Sequence, residues 1–505
     1  MLKKHPLIKP LICFVLGALS TLSLVPYSIY PFIICFSFAI FLIFESKKRK
    51  ELILASWAFS FGWFFLGLYW IGSAFLVKSD FFYYLLPLAI TLVPMFLSFI
   101  WVIAFFISDE LGKLYGNKFI WFVFLFSIIE FIRGYFVEFP WLMPGYTFAS
   151  NSYFLQSFSF IGSYSMNTVF IAITIIPILI LLNRQKYIQI ILFLCLPIIC
   201  LFFFSFWRYE TKNKISFIKD YGVTLVQPNI SQKDKWKTSL RKYHHANLLE
   251  LSVDKKHLHD YKGRLIIWPE TGFLGTYPKD TRLLEKLSEK ILDINRNEYI
   301  FTGVININKN KYYNSALLLD SKKQILKIYN KKFLVPFGEY IPFKSIFSGI
   351  SPISNFINFS KPKNNPEFKI NNDFNFLPLI CYEIIFNKYI SNKITPTTSL
   401  IVNITNDAWF GKTIGPFQHL QFARIRSVEY GIPVVRVANT GISAFFNSYG
   451  DKILEIQLGE RGVKSSYILK KLDTTIFKRF GNVSFVIVLI YICFINMFVL
   501  TTRKS

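Results

Sequence analysis

Apolar runs long enough to cross a lipid bilayer crowd the first part of this chain, and few folds other than a membrane-embedded helical bundle can absorb them. A spanning helix needs about 20 mostly apolar residues. Runs of that kind lie at Leu7–Tyr27, Ile53–Phe75, Phe82–Ile107, Phe158–Leu182, Tyr187–Trp207 and Val483–Leu500, with shorter ones at Pro31–Phe44 and Ile120–Ile132. The expectation is seven spans before residue 208, a long polar stretch, and an eighth span at the end. The two short runs also suit buried core helices. Basic residues test the orientation. Lys3, Lys4 and Lys9 precede the first run, and Lys47, Lys48, Arg49 and Lys50 separate the second from the third. Arg184 and Lys186 lie between the sixth and seventh, and Arg503 and Lys504 follow the eighth. Eight spans put all of these clusters on one side, which the positive-inside rule makes cytoplasmic. The polar stretch then belongs on the periplasmic side of a bacterial inner membrane. A basic start followed by Ala18-Leu19-Ser20 also suits a signal peptide; cleavage there would leave seven spans and move nothing downstream.

Composition agrees. Of 505 residues, 53% are hydrophobic and 17% charged, whereas soluble domains run at about 45–50% and 25%. The net charge of +27 brings nucleic acid to mind, but no zinc spacing, phosphate-cradling glycine loop or nucleic-acid motif accompanies it. Most of the excess falls in residues 208–480. A lysine-rich solvated surface accounts for it first. Attraction to anionic headgroups, about 1 kcal/mol per well-placed basic residue, is the functional alternative.

Residues 208–480 read as an α/β domain. Short apolar, β-rich runs recur at Val223–Val226, Leu265–Ile267, Ile300–Ile305, Ala316–Leu319, Phe376–Ile380, Ser399–Ile404 and Val434–Val437. Helical patterns lie between some of them, at Arg282–Leu292 and at Phe417–Tyr430, the latter led by Pro416. Alternation of this kind suggests sheets flanked by helices. The apolar Gly/Pro/Ser-rich loop Ile341–Phe359 is long enough to suggest a lid or a membrane-dipping segment.

Five of the six cysteines, Cys13, Cys35, Cys195, Cys200 and Cys493, fall inside apolar runs and count as small hydrophobes. Cys381 alone belongs to the polar stretch, so no disulfide can form within it. It ends the strand Leu377-Pro378-Leu379-Ile380, a position where α/β enzymes hold a nucleophile. A thiol nucleophile needs a base. His244, His245, His257 and His259 sit in a lysine-rich helical stretch and read as surface residues, while His419 remains a possible partner. A carboxylate assisted by lysine is the other option. Glu270 follows Ile266-Ile267-Trp268-Pro269, and Lys331, Lys332 and Glu339 lie in KKFLVPFGE. Spacing alone does not choose among them.

The ordered set Trp-Pro-Glu at 268–270, the lysine eight residues before Glu339, and Ile-Cys-Tyr-Glu at 380–383 resembles the Glu–Lys–Cys triad of the nitrilase superfamily. Within it, Tyr313-Asn314-Ser315, Asn406-Asp407-Ala408-Trp409-Phe410 and the flanking spans resemble the apolipoprotein N-acyltransferases. Glu130-Phe131-Ile132-Arg133-Gly134, Phe139-Pro140-Trp141-Leu142 and Gly145-Tyr146 resemble that family's linker between spans five and six. The resemblance implies a multi-pass helical membrane domain (1–207), a nitrilase-like α-β-β-α sandwich (208–480) and a last span with tail (481–505). It implies Glu270 as general base, Lys331 as the cation for the oxyanion, and Cys381 as nucleophile. The eight-residue offset selects Lys331 over Lys332. Glu339 matches an auxiliary carboxylate, and Tyr382, Glu383, Trp236, Asn314 and Trp409 match supporting or substrate-binding positions. Gln227-Pro228-Asn229 departs from the family pattern, in which glycine often separates Gln from Asn. The implied reaction moves an acyl chain from a phospholipid such as phosphatidylethanolamine, through a thioester, to the α-amine of a diacylglyceryl-modified apolipoprotein, with no metal or cofactor. Alternative readings are a membrane-anchored amidase with a small substrate, and a transporter or sensor with a ligand-binding exported domain. The pair Glu130 and Arg133, one helical turn apart, reads as a structural lock between spans.

Overall fold

The computed structural model describes residues 7–76, 84, 86–182, 185–212, 216–253, 261–341, 358–363, 368 and 374–501. His257 and His259, the basic residues Lys3, Lys4, Arg184, Arg503 and Lys504, and all but the ends of the expected lid lie outside them.

Each apolar run forms a helix. The first six are Ile8–Ser20, Ile33–Phe44, Arg49–Leu68, Leu86–Tyr115, Lys118–Tyr135 and Phe158–Leu181; Gln185–Glu210 and Val483–Thr501 complete the set. By length and composition four are able to cross a membrane: Arg49–Leu76 counted through its 3-10 extension, Leu86–Tyr115, Phe158–Leu181 and Tyr187–Glu210. Ile8–Ser23, Tyr30–Phe44 and Val483–Phe498 are shorter apolar helices.

The outer faces are apolar. Leu88, Leu92, Phe96, Phe99 and Ile103 are all exposed along one stripe of Leu86–Tyr115. Exposed apolar stripes at helical spacing mark a lipid-facing surface. The short Ile33–Phe44 run sits inside the bundle. There the Phe36 ring meets Phe59, Trp63, Trp101, Phe126 and Phe170 edge-on, at centroid distances of 4.8 to 6.4 Å. Lys9 donates to Ser46 at 2.8 Å and pairs with Glu51 at 3.0 Å, so the first basic cluster meets the second at one end of the bundle. Glu130 and Arg133 pair at 2.6 Å with both side chains buried. Arg133 also donates to the carbonyls of Phe139 (2.6 Å) and Trp141 (2.7 Å), so the pair pins the 139–142 linker.

The half after residue 208 contains twelve strands among the described residues. They are β1 (Phe217–Gln227), β2 (Gly263–Ile267), β3 (Thr276–Tyr277), β4 (Asn297–Asn308), β5 (Lys311–Asp320), β6 (Ile325–Asn330), β7 (Phe376–Ile380), β8 (Leu400–Thr405), β9 (Val434–Ala438), β10 (Ser443–Phe446), β11 (Lys452–Ile456) and β12 (Gly462–Leu469). One sheet runs β12-β1-β2-β4-β5-β6, with β3 beside β4; the other runs β11-β10-β9-β8-β7.

Period-two alternation builds the layers. Leu265 and Ile267 of β2 and Val402 and Ile404 of β8 meet in the core between the sheets. Ile266 and Ile300 turn to the other side, against the Arg241–Ser252 and Thr281–Ile291 helices. Ile401 and Val434 turn the opposite way, to the Gly415–Tyr430 helix and the membrane bundle. The result is an α-β-β-α sandwich whose last helical layer is also packed against the membrane helices. Gln418 on that helix accepts from the indoles of Trp70 (3.1 Å) and Trp141 (2.7 Å). Glu429 near its end accepts from Ser163 through both backbone N and Oγ.

Every strand expected from sequence is present; Phe376–Ile380 keeps its expected bounds, Ser399–Ile404 shifts by one residue to Leu400–Thr405, and the others are longer than expected. Strands β3, β6, β10, β11 and β12 were not anticipated. One expectation fails. His244 and His245 are buried rather than on the surface, because the Arg241–Ser252 helix turns them towards the domain. The His245 ring stacks on Phe273 at 5.3 Å, and burial lowers its pKa to about 4.

Candidate active site

Four polar side chains converge beside the ends of three strands. Just past β2, the Trp268-Pro269-Glu270 turn brings Glu270 over Gly303 of β4. A Cβ at Gly303 would stand 2.7 Å from Glu270 Cα and closer still to Thr271 N, so only glycine allows this approach. Asn314 sits on β5, and Lys331 directly follows β6, with its N–H held by the Asn314 carbonyl at 2.8 Å. Lys331 Nζ lies 3.2 Å from Glu270 and 3.0 Å from Glu339. Asn314 Nδ2 donates to both carboxylates, at 2.7 Å and 2.6 Å. Glu339 closes its own loop by accepting from Val335 N at 2.8 Å. The buried cation is therefore bracketed by two buried anions.

Cys381 follows β7 on the facing sheet, with φ of +53° in the left-handed region. Strain of this kind in a non-glycine residue persists only where its surroundings hold it, and it gathers at functional sites. Glu383 does the holding. Its carboxyl accepts from Ile380 N (2.8 Å), Lys332 N (2.6 Å), Phe333 N (3.3 Å) and Tyr329 Oη (2.7 Å), tying the Cys381 turn to the segment after Lys331. Burial pushes this carboxyl up to about 7, against the pull of Ile380 N, Tyr329 Oη, Lys332 N and the Lys331 charge.

Electrostatics separate the groups by role. Burial and then the Glu270 charge push the Cys381 thiol up to about 12, with Lys331 opposing them. Burial alone would raise Glu270, but Lys331 and Asn314 hold it below the usual carboxylate range. Burial would lower Lys331, yet Glu270 and Glu339 hold it well above the usual lysine value. The resting site is thus a thiol, a carboxylate and an ammonium. Lys331 rather than Lys332 occupies the cation position: Lys332 lends its backbone N–H to Glu383, and its side chain is only half-buried.

The supporting residues are placed unevenly. Tyr382 stands beside Cys381, edge-on to Phe386 at 4.8 Å, with its hydroxyl 3.3 Å from the Glu138 carbonyl of the membrane half. Trp236 lies at the rim, 36% exposed. Trp409 is half-buried in the Asp407–Phe410 turn.

His419 does not face the thiol. Its Nδ1 lies 2.9 Å from Asp407 and its Nε2 3.3 Å from the Cys381 carbonyl oxygen. Two participants went unnoticed in the sequence. Buried Lys235 donates to the Glu270 carbonyl at 3.1 Å, and Arg436 pairs with Asp407 inside β9. A lysine next to Trp236, and an arginine inside the otherwise apolar run Val434–Ala438, were the available signals.

Face-to-face sheets, with a strand-end cysteine opposite a glutamate and a lysine, place the catalytic half in the carbon-nitrogen hydrolase class, and residues 222–470 match that family. Residues 16–176 match the apolipoprotein N-acyltransferase N-terminal domain. The chain is 31% identical over 501 residues to the apolipoprotein N-acyltransferase of Rickettsia bellii, covering 96% of each chain. It is 30% identical to that of Brucella melitensis (91% of this chain, 90% of the relative) and 29% identical to that of Rhodopseudomonas palustris (94% and 92%). The chain belongs to the apolipoprotein N-acyltransferase family.

Proposed function

We infer that this membrane protein is an N-acyltransferase of lipoprotein maturation, working through a thioester on Cys381. The supporting observation is the bracketed cation: Lys331 held between Glu270 and Glu339, facing a strand-end cysteine. Glu270 takes the proton from Cys381 Sγ as sulfur attacks the acyl carbonyl of a phospholipid. With the thiol high and the carboxyl low, proton transfer runs uphill until the C–S bond forms, so the two events are concerted. Negative charge gathers on the carbonyl oxygen. Lys331, together with a backbone N–H, stabilises it, a donor contribution of about 3–4 kcal/mol. The ester C–O bond breaks, and the lysophospholipid oxygen leaves with the proton from Glu270. The acceptor's α-amine then attacks the thioester, forming an amide and returning the thiol.

Phosphatidylethanolamine is the proposed donor and a diacylglyceryl-cysteine N-terminus the acceptor. Eight helices, 1–207 plus the last one, embed the enzyme in the inner membrane, with 208–480 on the periplasmic side. Both substrates are lipids, which gives the membrane half a purpose beyond anchoring. The test is intact-mass spectrometry of the full chain incubated with phosphatidylethanolamine. An acyl increment on Cys381 that a diacylglyceryl-cysteine peptide discharges is the expected result. Ammonia release from simple amides without such an increment would favour the amidase reading, and no covalent adduct would favour the ligand-binding one.

A further inference from the structure

The Cys381 carbonyl is gripped from the side opposite the lipid chemistry. Asn403 on β8 stands in register with Leu379 of β7 and Arg436 of β9. Its Nδ2 donates to the Cys381 carbonyl at 3.2 Å and to the Leu379 carbonyl at 3.3 Å. His419 Nε2 reaches the same Cys381 oxygen at 3.3 Å. Both donors are themselves held. Arg436 Nη1 donates to Asn403 Oδ1 at 3.0 Å, which fixes the amide so that its nitrogen faces Cys381. Asp407 lies 2.9 Å from His419 Nδ1 and pairs with Arg436. A proton on Nε2 lets the ring donate to the Cys381 carbonyl, and a proton on Nδ1 lets it donate to Asp407, so these two partners fix its orientation. All four side chains are buried, Asn403, His419 and Arg436 completely.

A trans peptide points its N–H opposite to its C=O, and the Cys381–Tyr382 bond is not among the cis bonds of the chain. Tyr382 also stands in the first turn of the Cys381–Ile385 3-10 helix, where N–H groups lack a partner within the helix. We propose that Asn403 and His419, braced by Arg436 and Asp407, are positioning residues that aim the Tyr382 N–H at the oxygen of the tetrahedral intermediate. Holding the carbonyl turns the whole peptide plane, so the donor is in place before charge develops. This fits a residue that φ of +53° would otherwise leave free to relax. The inference rests on Cys381 being the acyl-carrying nucleophile.

Two reactions at the same sulfur separate aim from nucleophile. Acylation by phosphatidylethanolamine passes through an oxyanion, whereas alkylation by iodoacetamide displaces iodide at carbon and forms none. In the full-length protein, Asn403→Leu and His419→Leu remove one N–H each. Both should slow Cys381 acylation by about 100-fold, the order expected for a misplaced catalytic group, and leave alkylation within about threefold. His419→Gln, whose amide N–H can reach the carbonyl, should recover most of the acylation. Acylation at the wild-type rate in both leucine variants overturns the proposal. So does a parallel loss of both reactions, which would mean the network only keeps the fold, and so does a His419→Gln variant as slow as His419→Leu. A wild-type protein that alkylates at Cys381 but never acylates overturns the thioester reading itself, and this inference with it.

Discussion

Gly303 offers the sharpest test of the base. It lies in β4 with its N–H donating to the Pro269 carbonyl at 3.2 Å, while its own carbonyl accepts from Phe273 N at 3.1 Å. The strand and the Glu270 turn are thus laced together on both sides of the glycine. Gly303→Ala would put a methyl 2.7 Å from Glu270 Cα and nearer to Thr271 N. Both are backbone atoms, so no side chain can swing aside. Ordinary contact begins at 3.4 Å, and the turn must retreat by about 1 Å. Replacing glycine by alanine in a strand normally gains about 0.5–1 kcal/mol, but overpacking costs about 1–3 kcal/mol, leaving a net loss of at most about 2.5 kcal/mol. The larger effect is kinetic. A displacement of about 1 Å at a reacting group slows the step by about 100-fold. Intact-mass kinetics of Cys381 acylation, read beside thermal unfolding, should show a rate loss well beyond the modest destabilisation. Gly462→Ala, where the nearest atom to an added Cβ is 3.6 Å away, is the control and should be silent. A Gly303→Ala variant that acylates within about threefold of wild type would refute the placement of Glu270 as base.

Other outcomes follow from the same geometry. Lys331→Ala leaves Glu270 and Glu339 facing each other without their cation and should reduce acylation by 100-fold or more, roughly the loss of one oxyanion donor. Lys332→Ala should stay near wild type, and equal effects would show the wrong lysine was chosen. Asp407→Asn leaves Arg436 without its carboxylate and should cost about 3–5 kcal/mol in denaturant unfolding. Burial would raise the Asp407 carboxyl, but Arg436 and His419 hold it at about 2, below its ordinary 3.8. The wild-type advantage over this variant should therefore be complete above pH 3.8 and disappear as pH falls through that value towards 2. An advantage independent of pH over that range would refute the pairing. Glu130→Ala strands a fully buried Arg133 and should likewise destabilise by about 3–5 kcal/mol; unchanged unfolding would show that the pair locks nothing.

Much of this was legible in the sequence because it obeys simple periodicities. Apolar runs announced each helix of the bundle, and short β-rich runs at Leu265–Ile267 and Ser399–Ile404 announced central strands. The missed strands are those whose chemistry is mixed. Only one of the five residues in β11, Lys452–Ile456, is buried, and in β12 Lys464 is exposed while Ser465 is buried; both strands are recruited by their neighbours rather than by their own pattern. At the site, Glu270, Lys331 and Cys381 were picked out by motif, not physics, because burial and pairing are long-range properties. Glu270 and Lys331 are 61 residues apart in the chain, yet their side chains are in contact. His419 shows the limit most clearly. A lone histidine invites the role of base, and only its neighbours, an aspartate, an arginine and the Cys381 carbonyl, show that both ring nitrogens are already engaged.

The Gly415–Tyr430 helix has a consequence for the order in which the protein becomes active. It carries His419 on its inner side, while its outer contacts come from residues made early, such as Trp70, Trp141 and Ser163. They also come from residues made last: Thr475 donates to the Glu429 carbonyl, and the Phe477 ring lies tilted near Tyr430 at 6.0 Å. A catalytic half emerging during synthesis has its thiol but not the wall that holds the thiol's backbone. That wall is finished only when Thr475 and Phe477 have packed against the helix. If Cys381 carries the acyl group as proposed, a chain that has not made these last contacts should carry an idle cysteine.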